Sequence, residues 1–113
     1  MKLVYVSCLL EAFHKWEKAP KEVSFLKNLH RHLFGIKLGV EVKGDREIEF
    51  FMLKWRLEKF LKKYEKKEIK SCEWLAERIL EWAKKKYGKN RFYVVEVNED
   101  EENGVILTSD NRA

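Results

Sequence analysis

Glutamine is absent from this chain of 113 residues, proline occurs once, at Pro20, and there are only two cysteines, three histidines and five glycines. Cys8 and Cys72 are isolated thiols without C-x-x-C spacing, which argues against a disulfide scaffold or a zinc ribbon and fits a reducing cytoplasm. The single proline, with no low-complexity stretch and no internal repeat, leaves no linker, so residues 1–113 are expected to form one domain. Long apolar runs are missing too. Leu3–Leu10 spans only eight residues, contains Ser7 and Cys8, and leads into Glu11 without a small-residue cleavage pattern. It reads as a strand and not as a signal peptide or a membrane span.

What is present suffices for one core, since 45% of the residues are hydrophobic and 13% aromatic. Charged residues make up 38%, mostly Lys and Glu, and with the lack of glutamine this is the bias of a thermophile protein. The net charge of +5 is unevenly spread. Lys54–Arg91 holds 14 Lys or Arg against 6 Glu, whereas Phe92–Ala113 holds 6 acidic residues against Arg112 alone. The lysines are interleaved with glutamates and no DNA- or RNA-binding motif accompanies them, so the basic block reads as a solvated helix face.

Two strands open the chain. Val4, Val6, Cys8, Leu10 and Ala12 alternate with Tyr5, Ser7, Leu9 and Glu11, and His14 keeps the parity of the apolar row. Phe34, Ile36, Leu38, Val40 and Val42 alternate in the same way with Gly35, Lys37, Gly39, Glu41 and Lys43. His30 and His32 extend that second inward row. Between the strands, Trp16–Asn28 carries the Ala19-Pro20 break and reads as a short helical turn or an irregular loop. Leu53, Leu57, Phe60, Leu61 and Tyr64 then mark an amphipathic helix from Ile48 to about Lys66. Ser71 offers an N-cap to a second helix, striped by Leu75, Ile79, Trp82 and Ala83 and stopping at Gly88. Phe92–Asn98 predicts a strand, followed by an acidic turn ending in Asn103-Gly104 and a short strand Val105–Thr108. The order is β-β-α-α-β-β, an α+β chain.

An i, i+2 histidine pair projects from one face of a strand, so His30 and His32 can meet at one metal while His14 arrives from a neighbouring strand. On a helix the two would point about 200° apart and could not share an ion. Three imidazoles with an open fourth position suit a catalytic rather than a structural zinc. The plainer alternative is three unrelated histidines. Glu99 shares parity with Tyr93, Val95 and Val97, although it could simply belong to the solvated acidic turn. Cys72 reads either as a small buried hydrophobe or as a thiol at a helix N-terminus, where the macrodipole favours a thiolate and hence a nucleophile. Cys8 reads as core. Asp45 and Glu49 suit the turn and the helix N-terminus rather than acid-base chemistry, and Trp16 is placed to cover the metal site.

Several segments, in order, resemble the 6-pyruvoyltetrahydropterin synthase and 6-carboxytetrahydropterin synthase family of the tunnelling fold. Glu11-Ala12-Phe13-His14 resembles the family's first zinc histidine at the end of strand one, and His30-Arg31-His32-Leu33-Phe34 its His-Gly-His-Asn-Tyr element. Ile48-Glu49-Phe50-Phe51-Met52-Leu53-Lys54 resembles the family's Val-Asp-Phe-x-x-Leu-Lys. Ser71-Cys72-Glu73-Trp74-Leu75-Ala76 is similar to its Thr-Ser-Glu-Asn-Leu-Ala, and Val95-Glu96-Val97-Asn98-Glu99 to its Val-x-Val-x-Glu.

The resemblance implies a four-stranded antiparallel sheet with two helices on one face. It also implies a homo-oligomer, a hexamer or similar, whose sheets form a barrel with active sites at subunit interfaces. It further implies Zn²⁺ on His14, His30 and His32, and carbon-oxygen lyase chemistry on a pterin or guanine-like ring. Glu99 would accept two N–H donors from that ring, with help from Ser71 and Cys72. The chain departs from the family at four places. Leu26 stands where its catalytic cysteine falls and Lys27 where a variant class has glutamate, Tyr64–Lys70 lacks the Asp-His pair, and Arg31 replaces the glycine between the histidines. A non-catalytic member that binds zinc, a ligand or a partner protein is therefore a second expectation, and a basic nucleic-acid-associated module a third.

Overall fold

The computed structural model describes residues 1–109. Strands β1 (Lys2–His14) and β2 (His30–Val42) come first, then helices α1 (Phe50–Leu61) and α2 (Cys72–Tyr87), then β3 (Tyr93–Glu99) and β4 (Asn103–Thr108). The strands form one antiparallel sheet in the order β1-β2-β3-β4. The α+β class and the element order follow the sequence periodicities.

Period-two alternation decides which face is buried. Leu10, Ala12, Phe34, Leu38, Val40, Tyr93, Val95 and Val97 lose essentially all exposure, and Leu53, Leu57, Leu75 and Ile79 from the helices complete the same core. Helix α1 packs against β1 and α2 against β3 and β4. The opposite sheet face keeps Leu3, Tyr5, Leu9 and Ile106 exposed. No helix among the described residues is long and apolar enough to cross a membrane.

Both helix starts are capped by side chains. Glu49 accepts from the Phe51 and Met52 amides at 3.1 Å each, and Ser71 Oγ accepts from the Trp74 amide at 3.0 Å. Trp74 and Trp82 pack against the core, whereas Trp55 stays on the surface.

Element ends shift by one or two residues at the starts of α1 and β3, and two larger differences from the sequence expectation stand out. Helix α1 ends at Leu61 rather than near Lys66, passing through a 3-10 turn at Lys62–Tyr64 to Lys66 at φ 56°. The chain leaves the helix because β1 offers its backbone better partners. Lys66 N donates to Glu11 O (2.8 Å), Phe13 N to Lys67 O (2.9 Å) and Ile69 N to Phe13 O (2.7 Å), while Ile69 is buried. This short parallel bridge carries Ser71 and Cys72 to the end of β1.

The second difference is the hairpin. Asn103 and Gly104 already belong to β4, opposite Glu99 and Asn98, and the turn is made by Asp100 and Glu101 at φ 55° and 64°. Gly104 is needed for close approach instead of for the turn, since a Cβ there would stand 2.2 Å from Val97 O. The Asn98 side chain steadies the turn by accepting from Glu101 N at 2.9 Å.

Candidate metal centre

Strand register assembles the three histidines. His14 and His30 are direct cross-strand partners and His32 pairs with neither but stands on the same face, opposite Ala12. Their ring centroids lie 4.3 Å (His14–His30), 4.7 Å (His30–His32) and 5.2 Å (His14–His32) apart. One nitrogen from each falls within 4.8 Å of the others, so the group can hold a metal ion. Phe34 floors the cluster, its ring 5.5 Å from His14 and 5.8 Å from His32.

The outer nitrogens determine what the inner ones offer. His30 Nδ1 stands 2.7 Å from Asn28 O, an acceptor only, so this nitrogen carries the proton and Nε2 keeps its lone pair. His32 Nδ1 is 2.7 Å from Asp100 Oδ2, and Asp100 Oδ1 accepts from Leu33 N at 3.1 Å. Those bonds hold the Asp100 carboxyl below its ordinary pKa, the His32 contact contributing most. Burial lowers the His14 pKa; Glu99 opposes the shift and His30 and His32 add to it, which favours the neutral, ligating imidazole. His14 Nε2 and His30 Nε2 are buried without a hydrogen-bond partner. Buried imidazole nitrogens without a partner, beside two rings whose Nδ1 is held by Asn28 O or Asp100, form a nitrogen donor set into which a divalent metal ion such as zinc fits.

Glu99 reaches the same centre from the end of β3. Its Oε1 is 3.2 Å from His14 Nε2 and its Oε2 is 3.5 Å from His32 Nε2. The first separation is short, yet it is not oriented as a hydrogen bond. Cys72 Sγ donates to Glu99 Oε1 at 3.8 Å. Burial pushes the Cys72 thiol up to about 12, with the Glu99 and Glu73 charges acting in the same direction. Desolvation and the two carboxylates thus favour the protonated thiol, which donates to Glu99.

A cleft of about 800 Å³ opens beside the cluster, lined by His14, His30, Glu99, Ser71, Cys72 and Trp16 among others. Trp16 and Phe25 stand half or more exposed at its rim. Arg31 points to the other sheet face and pairs with Glu11 at 3.0 Å, leaving the approach to the histidines clear. The chain matches no model of a known protein family and no curated protein. All three histidines, Glu99, Ser71 and Cys72 thus meet in one region. Asp100 and Asn28, which orient two of the histidines, carry no local sequence signal beyond their positions beside the ligand motifs.

Proposed function

We propose that this protein is a zinc-dependent, pterin-synthase-like protein that binds a pterin or guanine-like ring in the cleft beside His14, His30 and His32. The observation that supports this most is the meeting of three imidazoles within reach of one ion beside a cavity lined by His14, His30, Glu99, Ser71 and Cys72. His14, His30 and His32 would hold the zinc, which when bound supplies a Lewis acid able to polarise a carbonyl or lower the pKa of a water. Glu99 has two carboxylate oxygens for the paired N–H donors of such a ring, and the Cys72 thiol steers that carboxylate. Trp16 and Phe25 offer aromatic surface for the ring face and help to exclude water. If the site is active, the chemistry is of the carbon-oxygen lyase type.

The sheet face opposite the helices supports assembly with further copies of the chain, because Leu3, Tyr5, Leu9 and Ile106 lie exposed on it. A barrel of sheets, as in the resembled family, covers that face.

A second reading is a binding protein on the same scaffold. The neutral Cys72 thiol, together with Leu26 and Lys27 at the positions where the family places its catalytic residue, favours it.

Metal analysis of the purified protein, paired with thermal shifts against pterin and guanine compounds, tests these readings. One zinc per chain, lost in His30→Ala, and a raised Tm with a pterin are expected. Absence of zinc, with His30→Ala melting like wild type, overturns the metal reading. Zinc with no response to any such ring favours the binding protein of another ligand.

A further inference from the structure

The first two turns of α1 are apolar on both sides. Leu53 and Leu57 are fully buried in the core, while Phe50, Phe51, Met52 and Trp55 stand between 45% and 63% exposed. A helix packed on a sheet ordinarily turns polar residues outward. Here the outward side carries a contiguous aromatic patch, with the Phe51 ring 5.3 Å from Phe50 and 6.2 Å from Trp55. Apolar surface gathered in one place, rather than scattered, marks a contact surface. Copies assembled through the open sheet face leave it uncovered, because α1 lies on the other side of the sheet.

What adjoins the patch decides its partner. Met52 and Trp55 are the i, i+4 neighbours of Arg56 and Lys59, where the apolar stretch gives way to a groove of about 510 Å³ between α1 and α2. Arg56, Lys59, Lys63 and Lys86 line this groove beside the stacked, half-buried rings of Phe60 and Trp82. No carboxylate lines it, and among the described residues none of the four cations is in an ion pair. Like charges around one concavity repel one another, and an anion seated there relieves the repulsion. A purely apolar partner leaves the groove unneutralised, a bare polyanion leaves the aromatic rings in water, and a second copy docked through α1 brings like charges together. An amphiphile with an anionic head satisfies both halves.

We propose that this face of α1 docks the protein on an anionic lipid bilayer, with Phe50, Phe51, Met52 and Trp55 entering the boundary between headgroups and acyl chains and the groove taking lipid phosphates. Aromatic side chains settle at that depth, and the cations beside them hold to anionic headgroups. The contact is peripheral and uses no residue of the cleft beside the histidines.

Sedimentation of the full-length protein with vesicles tests this. Binding is expected to vesicles of equal parts phosphatidylglycerol and phosphatidylcholine, to fade as salt is added, and to be absent with phosphatidylcholine alone. Phe51→Ser combined with Trp55→Ser should weaken it ~10-fold or more, and Lys59→Glu with Lys63→Glu should abolish it. Both variants should keep the wild-type melting curve, since all four side chains are exposed. Brominated acyl chains should quench the tryptophan fluorescence of wild type more than that of Trp55→Phe. His30→Ala should bind vesicles as wild type does, which separates this outcome from the metal reading. No sedimentation with the anionic vesicles overturns the proposal, as does binding that the Phe51 and Trp55 changes leave intact. Two other results without vesicle binding overturn it as well: self-association lost on changing Phe51 and Trp55 assigns the patch to a second copy, and single-stranded DNA binding lost on changing Lys59 and Lys63 assigns the groove to nucleic acid.

Discussion

Asp100 and His32 lie 68 positions apart in sequence and 2.7 Å apart in space, carboxylate oxygen to ring Nδ1. Asp100 occupies the first left-handed position of the β3–β4 turn, and its backbone amide also closes onto Leu33 O at 2.9 Å. Both of its carboxylate oxygens are thus spent on β2, one on a backbone amide and one on an imidazole. The hairpin turn orients a candidate metal ligand.

Removing that contact should loosen metal without removing a ligand. Asp100→Ala is expected to lower zinc affinity ~10- to 100-fold, the usual cost of losing a partner behind a ligating histidine. Asp100→Asn, whose amide oxygen still accepts from Nδ1–H, should recover most of it. Chelator competition on both variants measures this, and equal affinity for Asp100→Ala and wild type would show that His32 needs no orienting partner.

Phe34 couples the core to the centre, being fully buried and within ring contact of His14 and His32. Phe34→Ala is expected to cost ~3–5 kcal/mol of folding stability through the cavity it leaves. Urea unfolding of the metal-free protein reads this term apart from the metal. Zinc affinity should fall as well, because two of the three imidazoles lose the surface that aligns them. A variant destabilised as expected but with unchanged zinc affinity would separate the core from the site.

Acid should weaken the turn between β2 and α1. Glu47 accepts from the Gly44 and Lys43 amides and pairs with Arg91 Nη1 at 2.6 Å, and these contacts pull its carboxyl down to about 2 from 4.5. A carboxyl whose pKa is depressed by folding stabilises the native state above the unfolded value, and that contribution disappears as pH falls through the folded one. Wild type should therefore exceed Glu47→Gln in stability at pH 7, and the gap should close as the pH drops from about 4.5 to about 2. Thermal melts of the two proteins across that range check the sign. A gap independent of pH would mean that the amide makes or loses the same contacts whatever the charge.

Side-chain parity made the sheet readable in advance. His14, His30 and His32 fall on the inward rows of β1 and β2 simply because period-two alternation continues from Leu10 and Phe34 to the strand ends. The caps at Glu49 and Ser71 were equally local, since each is decided by one side chain and amides two or three residues on. The end of α1 was not. Residues 62–66 continue a helical apolar pattern through Tyr64, and only the unpaired backbone of β1 at Glu11 and Phe13 draws the chain out of the helix. The hairpin misled in a related way, because Asn103-Gly104 has turn chemistry. Close packing of Gly104 on Val97 O nonetheless claims it for the strand and leaves the left-handed positions to Asp100 and Glu101.

The chain by itself determined the alternating strands, the two amphipathic helices and the placing of three imidazoles on one sheet face, because these depend on periodicities within single elements. Only the tertiary structure decided which groups surround those imidazoles. Asp100 behind His32, Glu99 between His14 and His32, and Cys72 kept protonated beside Glu99 each depend on strand register or on the bridge that carries α2 to the end of β1. A contact between residues tens of positions apart leaves no period in the sequence, and whether a thiol at a helix start ionises is settled by the carboxylates and the burial that folding brings to it.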